Sequence, residues 1–524
     1  MRLSTPLLSL FCFLVPPTLI GLIYIYLYPV LQQCSFPVAR RAEAACHFDG
    51  AAGSRPAVSA ETAPFRLLAL ADPQLEGDTS LPDPSAAWLP SLSRLREDGV
   101  VRAVQGLVRR DVPDVLRGYR KKVDLWGNDL YLAHIYRMVS WWTQPTHTVV
   151  LGDLLGSQWI GDEEFARRSW RFWDVVFKGG VKVPREVADV SGRVEVLGRD
   201  EGWKRRVIAV AGNHDIGYAG DIDEHRIERF ESAFGSVNWE VRFRLMNETQ
   251  PLLSGFPNSV FATTPELRLI ILNSMNLDEP AYNPELRQQS LDFLDSQLHT
   301  TNHPRNIGTI VLTHIPLHKK PGICIDAPCF SHFPADQGGS IREQNHLSPE
   351  ISSHILDGLL SAEGSGTAII LNGHDHEGCD TYHHHRPTSP PPPLDSNAEE
   401  EKEKRGREWH ASPFHHPAQI QTQAQPQHPR TNPSSHASPG LREITVRSMM
   451  GSYAGNAGLL SAWFDPETGG WRFEYESCML GVQHLWWAAH VLGVVELGLG
   501  VVGLAALLVE TWGGGGWRGK VKVA

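Results

Sequence analysis

Gly212-Asn213-His214-Asp215 and Gly373-His374-Asp375-His376 decide how this chain is read. Each closely follows a short run of Val, Ile, Leu and Ala, at 207–211 and at 368–371. Runs this short and this aliphatic suit buried strands, so both motifs fall at strand ends. Working outward, the same arrangement recurs. Residues 67–71 lead into Asp72-Pro73-Gln74, residues 148–151 into Gly152-Asp153, and residues 309–312 into Thr313-His314. Another run, 269–272, precedes Asn273. Helical patterns lie between the runs, at 131–142, 163–177, 224–234, 284–298 and 348–361. Strands alternating with helices predict an α/β fold with a largely buried sheet. Sheets of this kind place ligands just beyond the carboxyl ends of their strands.

Carboxylate, amide oxygen and imidazole are hard or borderline donors, suited to Mn, Fe or Zn rather than to thiolate chemistry. A Gly-Asp or Thr-His pair alone means nothing, but five such motifs in order form a constellation. Their order resembles the calcineurin-like metallophosphoesterases, over residues 65–480 apart from an insert at 386–440. The resemblance implies a sandwich of two central sheets flanked by helices, and two divalent metal ions, Mn²⁺ first, with Fe and Zn as the other candidates. Carried over position by position, one ion takes Asp72, Gln74, Asp153 and His376. The other takes Asp153, Asn213, His314 and His374, with Asp153 bridging. A carboxylate between two cations about 4 Å apart reduces their repulsion, and such a pair clamps a phosphoryl group and lowers the pKa of bound water. The family has His where Gln74 stands. An amide oxygen is a weaker donor, so looser binding of the first ion is expected. The resemblance makes His214 the acid for the leaving group, with Asp215 orienting it. Outside this constellation, Asn213 and Asp215 would read as helix caps and Asp375 as a spacer.

Residues 6–31 carry no formal charge, and about 20 apolar residues span a bilayer. The alternative is a cleaved signal peptide, but the stretch is long for a signal core and no small-x-small site follows closely. A second apolar stretch, 485–509, has Trp486, Trp487 and Trp512 near its ends and Glu496 near its middle. Arg518, Lys520 and Lys522 in the tail place it in the cytoplasm, and two spans then put both termini there and the middle in the lumen. Arg40 and Arg41 on the proposed luminal side conflict with this. Two features support it: a glycosylation sequon at Asn247-Glu248-Thr249, and a tail, 520–524, resembling a KxKxx retrieval signal. Together they point to the endoplasmic reticulum membrane and early Golgi. Cys34, Cys46, Cys324, Cys329, Cys379 and Cys478 are then in an oxidising space, with pairing left open, while Cys12 in the first span stays free.

The expected organisation is a cytoplasmic tip and span at 1–34, a luminal linker at 35–64 and a catalytic domain at 65–385. A disordered Pro/His/Gln-rich insert at 386–440 follows, then completing strands at 441–480, the second span at 485–509 and a cytoplasmic tail at 510–524.

Finer resemblance narrows the substrate. Residues 70–78, 152–159, 212–218 and 314–318, with 322–326 behind them, look like fungal membrane phosphoesterases acting on GPI anchors. That group implies removal of an ethanolamine-phosphate branch from a mannose, taken as the second, during remodelling. GPI-anchored proteins would be the substrates. The p24-type cargo receptors would act downstream, and COPI-type machinery would read the tail. Asn273, His318, Asp326 and the Cys324/Cys329 loop are the substrate-side candidates. Asp326 could meet the ethanolamine ammonium, and an ordinary disulfide-tied loop is the other reading.

The chain has 524 residues, 41% of them hydrophobic, enough for a sizeable core. Its net charge of −11 argues against nucleic acid as a partner, and so against a metal-dependent nuclease. A luminal phosphatase or phosphodiesterase of other substrates stays open, as does a trafficking protein with a decayed site. Gln74 is the only residue favouring decay.

Overall fold

The structure is a computed structural model. It describes residues 3–42, 58–77, 88–93, 95–246, 264–298, 306–360, 367–385, 408–414 and 440–513. Asn247, Cys46, the retrieval-like tail and most of the expected insert lie outside the described residues.

Two large sheets form the centre. One has six strands, in the order Gly470–Val482, Ala454–Asp465, Phe65–Leu70, His147–Leu151, Arg206–Val210 and Val181–Lys182. The other has eight, in the order Trp409–Pro413, Cys379–His385, Gly440–Thr445, Ala368–Asn372, Ile307–Leu312, Glu266–Ile271, Trp239–Arg244 and Val194–Val196. The strands that lead into the motifs are mutually parallel within each sheet. Their carboxyl ends therefore share one edge.

Alternation along each strand explains why nearly every residue is apolar. Leu67, Ala69, Val149 and Leu151 point between the sheets, where they meet Leu269, Ile271, Ile310 and Leu371. Leu68, Leu70 and Val150 point the other way, onto Tyr131, Ile135 and Val139 of the long helix Val112–Thr143. A strand covered on both faces has no polar side.

Helices Glu224–Phe234 and Pro284–Leu298 fall where the pattern predicts them. The helix expected at 131–142 begins much earlier, at Val112. The linker contributes a two-stranded ribbon, Ala39–Ala42 with Val58–Glu61. Within the expected insert, Trp409–Pro413 pairs with Cys379–His385 as an edge strand, and the Trp409 ring packs 3.8 Å from that of His385.

Two terminal helices, Ser4–Tyr26 and Gln483–Gly513, have the length and composition of candidate spans. They run antiparallel. Gly21 faces Ala489, Gly493 faces Thr18, Gly503 faces Leu8, and the Ser4 hydroxyl donates to Glu510 Oε2 at 2.6 Å. Small residues at such a seam let helices approach closely. Little else covers them: 11% and 6% of their most apolar windows is buried. Pro16 and Pro17 sit inside the first helix.

Disulfides join Cys34 to Cys478 and Cys324 to Cys379. The Cys324/Cys329 loop is therefore not closed on itself. Cys324 is tied across to the strand after the second histidine motif, and Cys329 and Cys12 are free.

Candidate metal centre

The motif residues converge from both sheets. Asp72 and Gln74 follow Phe65–Leu70, Asp153 follows His147–Leu151, and Asn213 opens the short helix Asn213–Ile216 after Arg206–Val210. His314 follows Ile307–Leu312, and His374 and His376 follow Ala368–Asn372. Asp72, Gln74, Asp153 and His374 all hold positive φ, at 49°, 42°, 49° and 75°. Non-glycine residues avoid this region, and a cluster of them is strain of the kind found at functional sites. Two glycines make the crowding possible. A Cβ at Gly152 would lie 2.1 Å from His314 Nδ1, and one at Gly212 would lie 2.3 Å from Asp153 Oδ1.

The histidine tautomers are set by backbone. His314 Nδ1 lies 2.7 Å from the Leu151 carbonyl, and His374 Nε2 lies 3.0 Å from the Gln344 carbonyl. Each contact needs an N–H, so in the neutral ring the other nitrogen offers a lone pair. Those two atoms, His314 Nε2 and His374 Nδ1, approach Asn213 Oδ1 at 3.1 and 3.0 Å. Asp153 Oδ1 lies 3.3 Å from His314 Nε2. Four electron-pair donors thus gather at one buried point, an arrangement suited to a cation.

The electrostatics agree. Burial opposes ionisation of Asp153, but His314, His214 and His374 outweigh it and hold its carboxyl well below the usual range. Burial raises Asp72 well above that range, and Asp153 adds to the effect. His314, which burial alone would depress, is raised to about 9 by Asp153 and Asp72. Buried negative charge therefore calls for a positive charge, met here by an imidazolium proton and equally by a metal ion.

Asp72, Asp153 and His376 can bring one ligand atom each within 4.8 Å of one another, a second grouping suited to a metal. Gln74 sits among them with its amide nitrogen inward, donating to Asp153 Oδ2 at 3.0 Å and lying 3.2 Å from His376 Nε2. Ligation through its oxygen requires the amide to turn over.

His214 stands at the rim. Its side chain is 35% exposed, with Nε2 3.7 Å from Asp153 Oδ2, and its Nδ1 is buried with no partner among the described residues. Its backbone N–H donates to Asp153 Oδ1 at 2.8 Å. Among the described residues, no hydrogen bond joins Asp215 to the His214 ring. It accepts from the backbone N–H groups of Leu154, Leu155 and Gly212 at 3.2, 2.9 and 2.9 Å, tying two ligand loops together. Asp375 likewise braces, accepting from Glu377 N at 3.0 Å and from Asp326 N at 3.4 Å.

Of the substrate-side candidates, the structure brings Asp326 to the site. Its loop lies against the His374–His376 turn, and the disulfide from Cys324 to Cys379 pins it there. Asn273 is not brought to the ligands. It is buried, and its amide holds its own loop through Met275 and Asn276. His318 is half-buried, with its backbone N–H donating to Ser352.

Sequence reasoning missed the supports. Leu151 and Gln344 act through carbonyls, which no side-chain pattern reports. Glu443, fully buried, accepts from Leu317 N at 2.8 Å and pairs with Lys319 at 2.8 Å and His383 at 2.6 Å. It also accepts from Asn372, just before the second histidine motif, at 2.7 Å. The one available signal was a Glu inside a strand otherwise reading as buried. A cavity of about 150 Å³ opens beside the site, lined by Asp72, Gln74, Glu76, Asp129, His376 and Ser452 among others.

Two packed sheets whose strand ends collect Asp, Asn and His around buried points define a metallophosphoesterase-like arrangement. The comparisons with known proteins show the chain to be similar to metallophosphoesterase-like proteins. Protein TED1 of Saccharomyces cerevisiae is 29% identical over 425 residues, covering 72% of this chain and 77% of that protein. An uncharacterized Schizosaccharomyces pombe protein is 30% identical over 292 residues, covering 51% and 58%. Metallophosphoesterase 1 of Cricetulus griseus is 24% identical over 272 residues, covering 50% and 57%. The chain thus spans over half the length of the latter two. No family model matches it.

Proposed function

We propose that this protein is a membrane-bound phosphodiesterase that removes an ethanolamine-phosphate branch from a mannose of GPI anchors. The observation that carries phosphoester hydrolysis is the convergence of His314 Nε2 and His374 Nδ1 on Asn213 Oδ1, each ring fixed by a backbone carbonyl. Homology to metallophosphoesterase 1 and Protein TED1 supports the same reaction class. The GPI substrate rests on the motif resemblance and on the two apolar terminal helices, which suit a lipid-linked substrate.

Asp153, Asn213, His314 and His374 would hold one divalent cation, and Asp72, Gln74, Asp153 and His376 a second. Manganese is the proposed metal. Bound cations would screen the phosphoryl charge and activate water. Asp215 and Asp375 keep the ligand loops in register through backbone amides. His214, at the rim, would donate a proton to the departing sugar oxygen, a poor leaving group without it. Asp326, whose loop is held to Asp375 beside the histidine motif, would meet the ammonium of the ethanolamine. In this reading the domain faces the lumen of the endoplasmic reticulum, where the two disulfides would form. GPI-anchored proteins are then the clients, p24-type receptors act after trimming, and COPI-type retrieval reads the tail.

The test is the GPI glycan profile of cells lacking the protein, complemented with wild type or with Asp153→Asn. A GPI with one extra ethanolamine phosphate, cleared only by wild type, is the expected result. An unchanged glycan would reject the substrate. Clearance by the mutant would reject catalysis.

A further inference from the structure

The long helix Val112–Thr143 continues backward through a π turn, Leu107–Asp111, into helix Leu95–Gly106. One side of this rod is apolar and largely exposed among the described residues, with Trp88 against Tyr119. Val108, Val112, Leu116, Tyr119, Val123 and Trp126 follow at steps of four and three, each between 42% and 63% exposed. That spacing makes a single stripe, which a soluble helix would turn to the core. Here the side turned inward is different: Asp111 accepts from Ser91 N at 2.7 Å, and Gly118 is buried.

Two observations say what covers the stripe. The first is continuity. Beyond Trp126 the stripe runs at steps of four through Leu130 to His134, whose ring packs 5.1 Å from that of Tyr26 in the first terminal helix. Gly127 admits the Trp487 ring, Tyr131 lies 5.9 Å from Trp486, and Trp142 donates to the Tyr26 carbonyl at 3.2 Å. The end of one candidate span and the start of the other both meet this helix between Gly127 and Trp142. It therefore crosses the ends of the helix pair instead of running beside it. The second observation is charge. Residues 100–126 carry seven basic side chains against three acidic ones, a net of +4 in a chain of net −11.

We infer that residues 100–126 form an interfacial helix lying on the bilayer. The apolar stripe enters the boundary between headgroups and acyl chains, and the flanking Arg and Lys meet anionic headgroups. The far side of the same helix presents Leu125, Asn128, Asp129 and Leu132 to the cavity beside the metal centre. The centre then opens about one helix diameter, roughly 10 Å, from the membrane surface. This inference stands whichever phosphoester is cut.

The test uses the full chain, with Cys12, Cys46 and Cys329 replaced by Ser. It is reconstituted in vesicles of phosphatidylcholine with a minority of phosphatidylserine. Single cysteines at Val108→Cys, Leu116→Cys and Val123→Cys carry an environment-sensitive fluorophore, with Asp114→Cys and Arg117→Cys as controls on the opposite side. The expected result is blue-shifted emission, quenched by lipid-borne bromines, at the first three positions only. Water-like emission at all five would overturn the inference. Blue-shifted emission that lipid bromines do not quench would overturn it too, by showing a protein on the stripe. Wild-type chain in vesicles with a photoactivatable phosphatidylcholine guards against misfolded variants. Crosslinks should map to 100–126 as well as to the terminal helices, and crosslinks confined to the terminal helices would count against the interfacial helix.

Discussion

Gln74 donates through Nε2 to Asp153 Oδ2 at 3.0 Å, so a neutral amide stands between the carboxylate and His376. This donor satisfies Asp153 but must turn over before a cation can share the carboxylate. Gln74→His replaces it with a nitrogen ligand needing no such turn. The variant should bind the more weakly held metal at least about tenfold more tightly. Metal titration by calorimetry, with metal content after dialysis, checks this. Unchanged affinity would show that residue 74 is not a ligand.

His214→Ala should keep its metal, because His214 contacts Asp153 through its backbone and that contact survives the substitution. Turnover of a diester with an alkoxide leaving group should fall by about 100-fold or more. Turnover of one with a p-nitrophenolate leaving group should fall much less. Equal losses on both, or loss of metal, would remove His214 from the acid role.

Metal binding should release protons. His314 holds its proton up to about pH 9 in the metal-free site, so at neutral pH a cation must displace it. Calorimetric titrations at pH 7 in buffers of different ionisation enthalpy should report at least about one proton per protein. His314→Gln should lose both the release and most of the affinity.

Stability should fall in mild acid. His147 is buried against Phe65, Trp203 and Phe243, and burial pushes its pKa down to about 3. Its unfolded value is about 6.5, so the unfolded chain takes up the proton first as pH drops. The contribution is fully present above about pH 6.5 and is lost toward pH 3. By pH 5 the loss amounts to about 2 kcal/mol. Denaturation of His147→Phe should show a correspondingly shallower acid limb.

Glu443 neutralises Lys319 in a region without water access. Glu443→Gln should cost about 3–5 kcal/mol, read as a lower denaturation midpoint. Lys319→Met with Glu443→Gln should recover part of it. No recovery would mean that the pair acts through its backbone contacts alone.

Much of the fold was legible because its strands are covered on both faces. Residues 207–211 and 368–371 could hardly be anything but buried strands, and the polar residues after them had to lie at an edge. Which of those residues would hold which ion came only from the resemblance of the motif order to a known family. What stayed hidden was carried by backbone. The Gln344 carbonyl that orients His374 comes from a loop with no pattern of its own, and Asp215's three amide contacts join segments about 60 positions apart. Nor could cysteine spacing choose Cys379 over Cys329 as the partner of Cys324, since that choice depends on where a distant strand ends.

The Cys34–Cys478 bridge links positions 444 apart, one just after the first terminal helix and one on the strand leading into the second. With it in place, the folded domain is a closed ring of chain hung from a single covalent knot. The shortest covalent path between the two terminal helices runs through these sulfurs and the last residues of the strand that carries Cys478. A cut in the chain anywhere between residues 34 and 478 would therefore leave the two terminal helices still joined to each other.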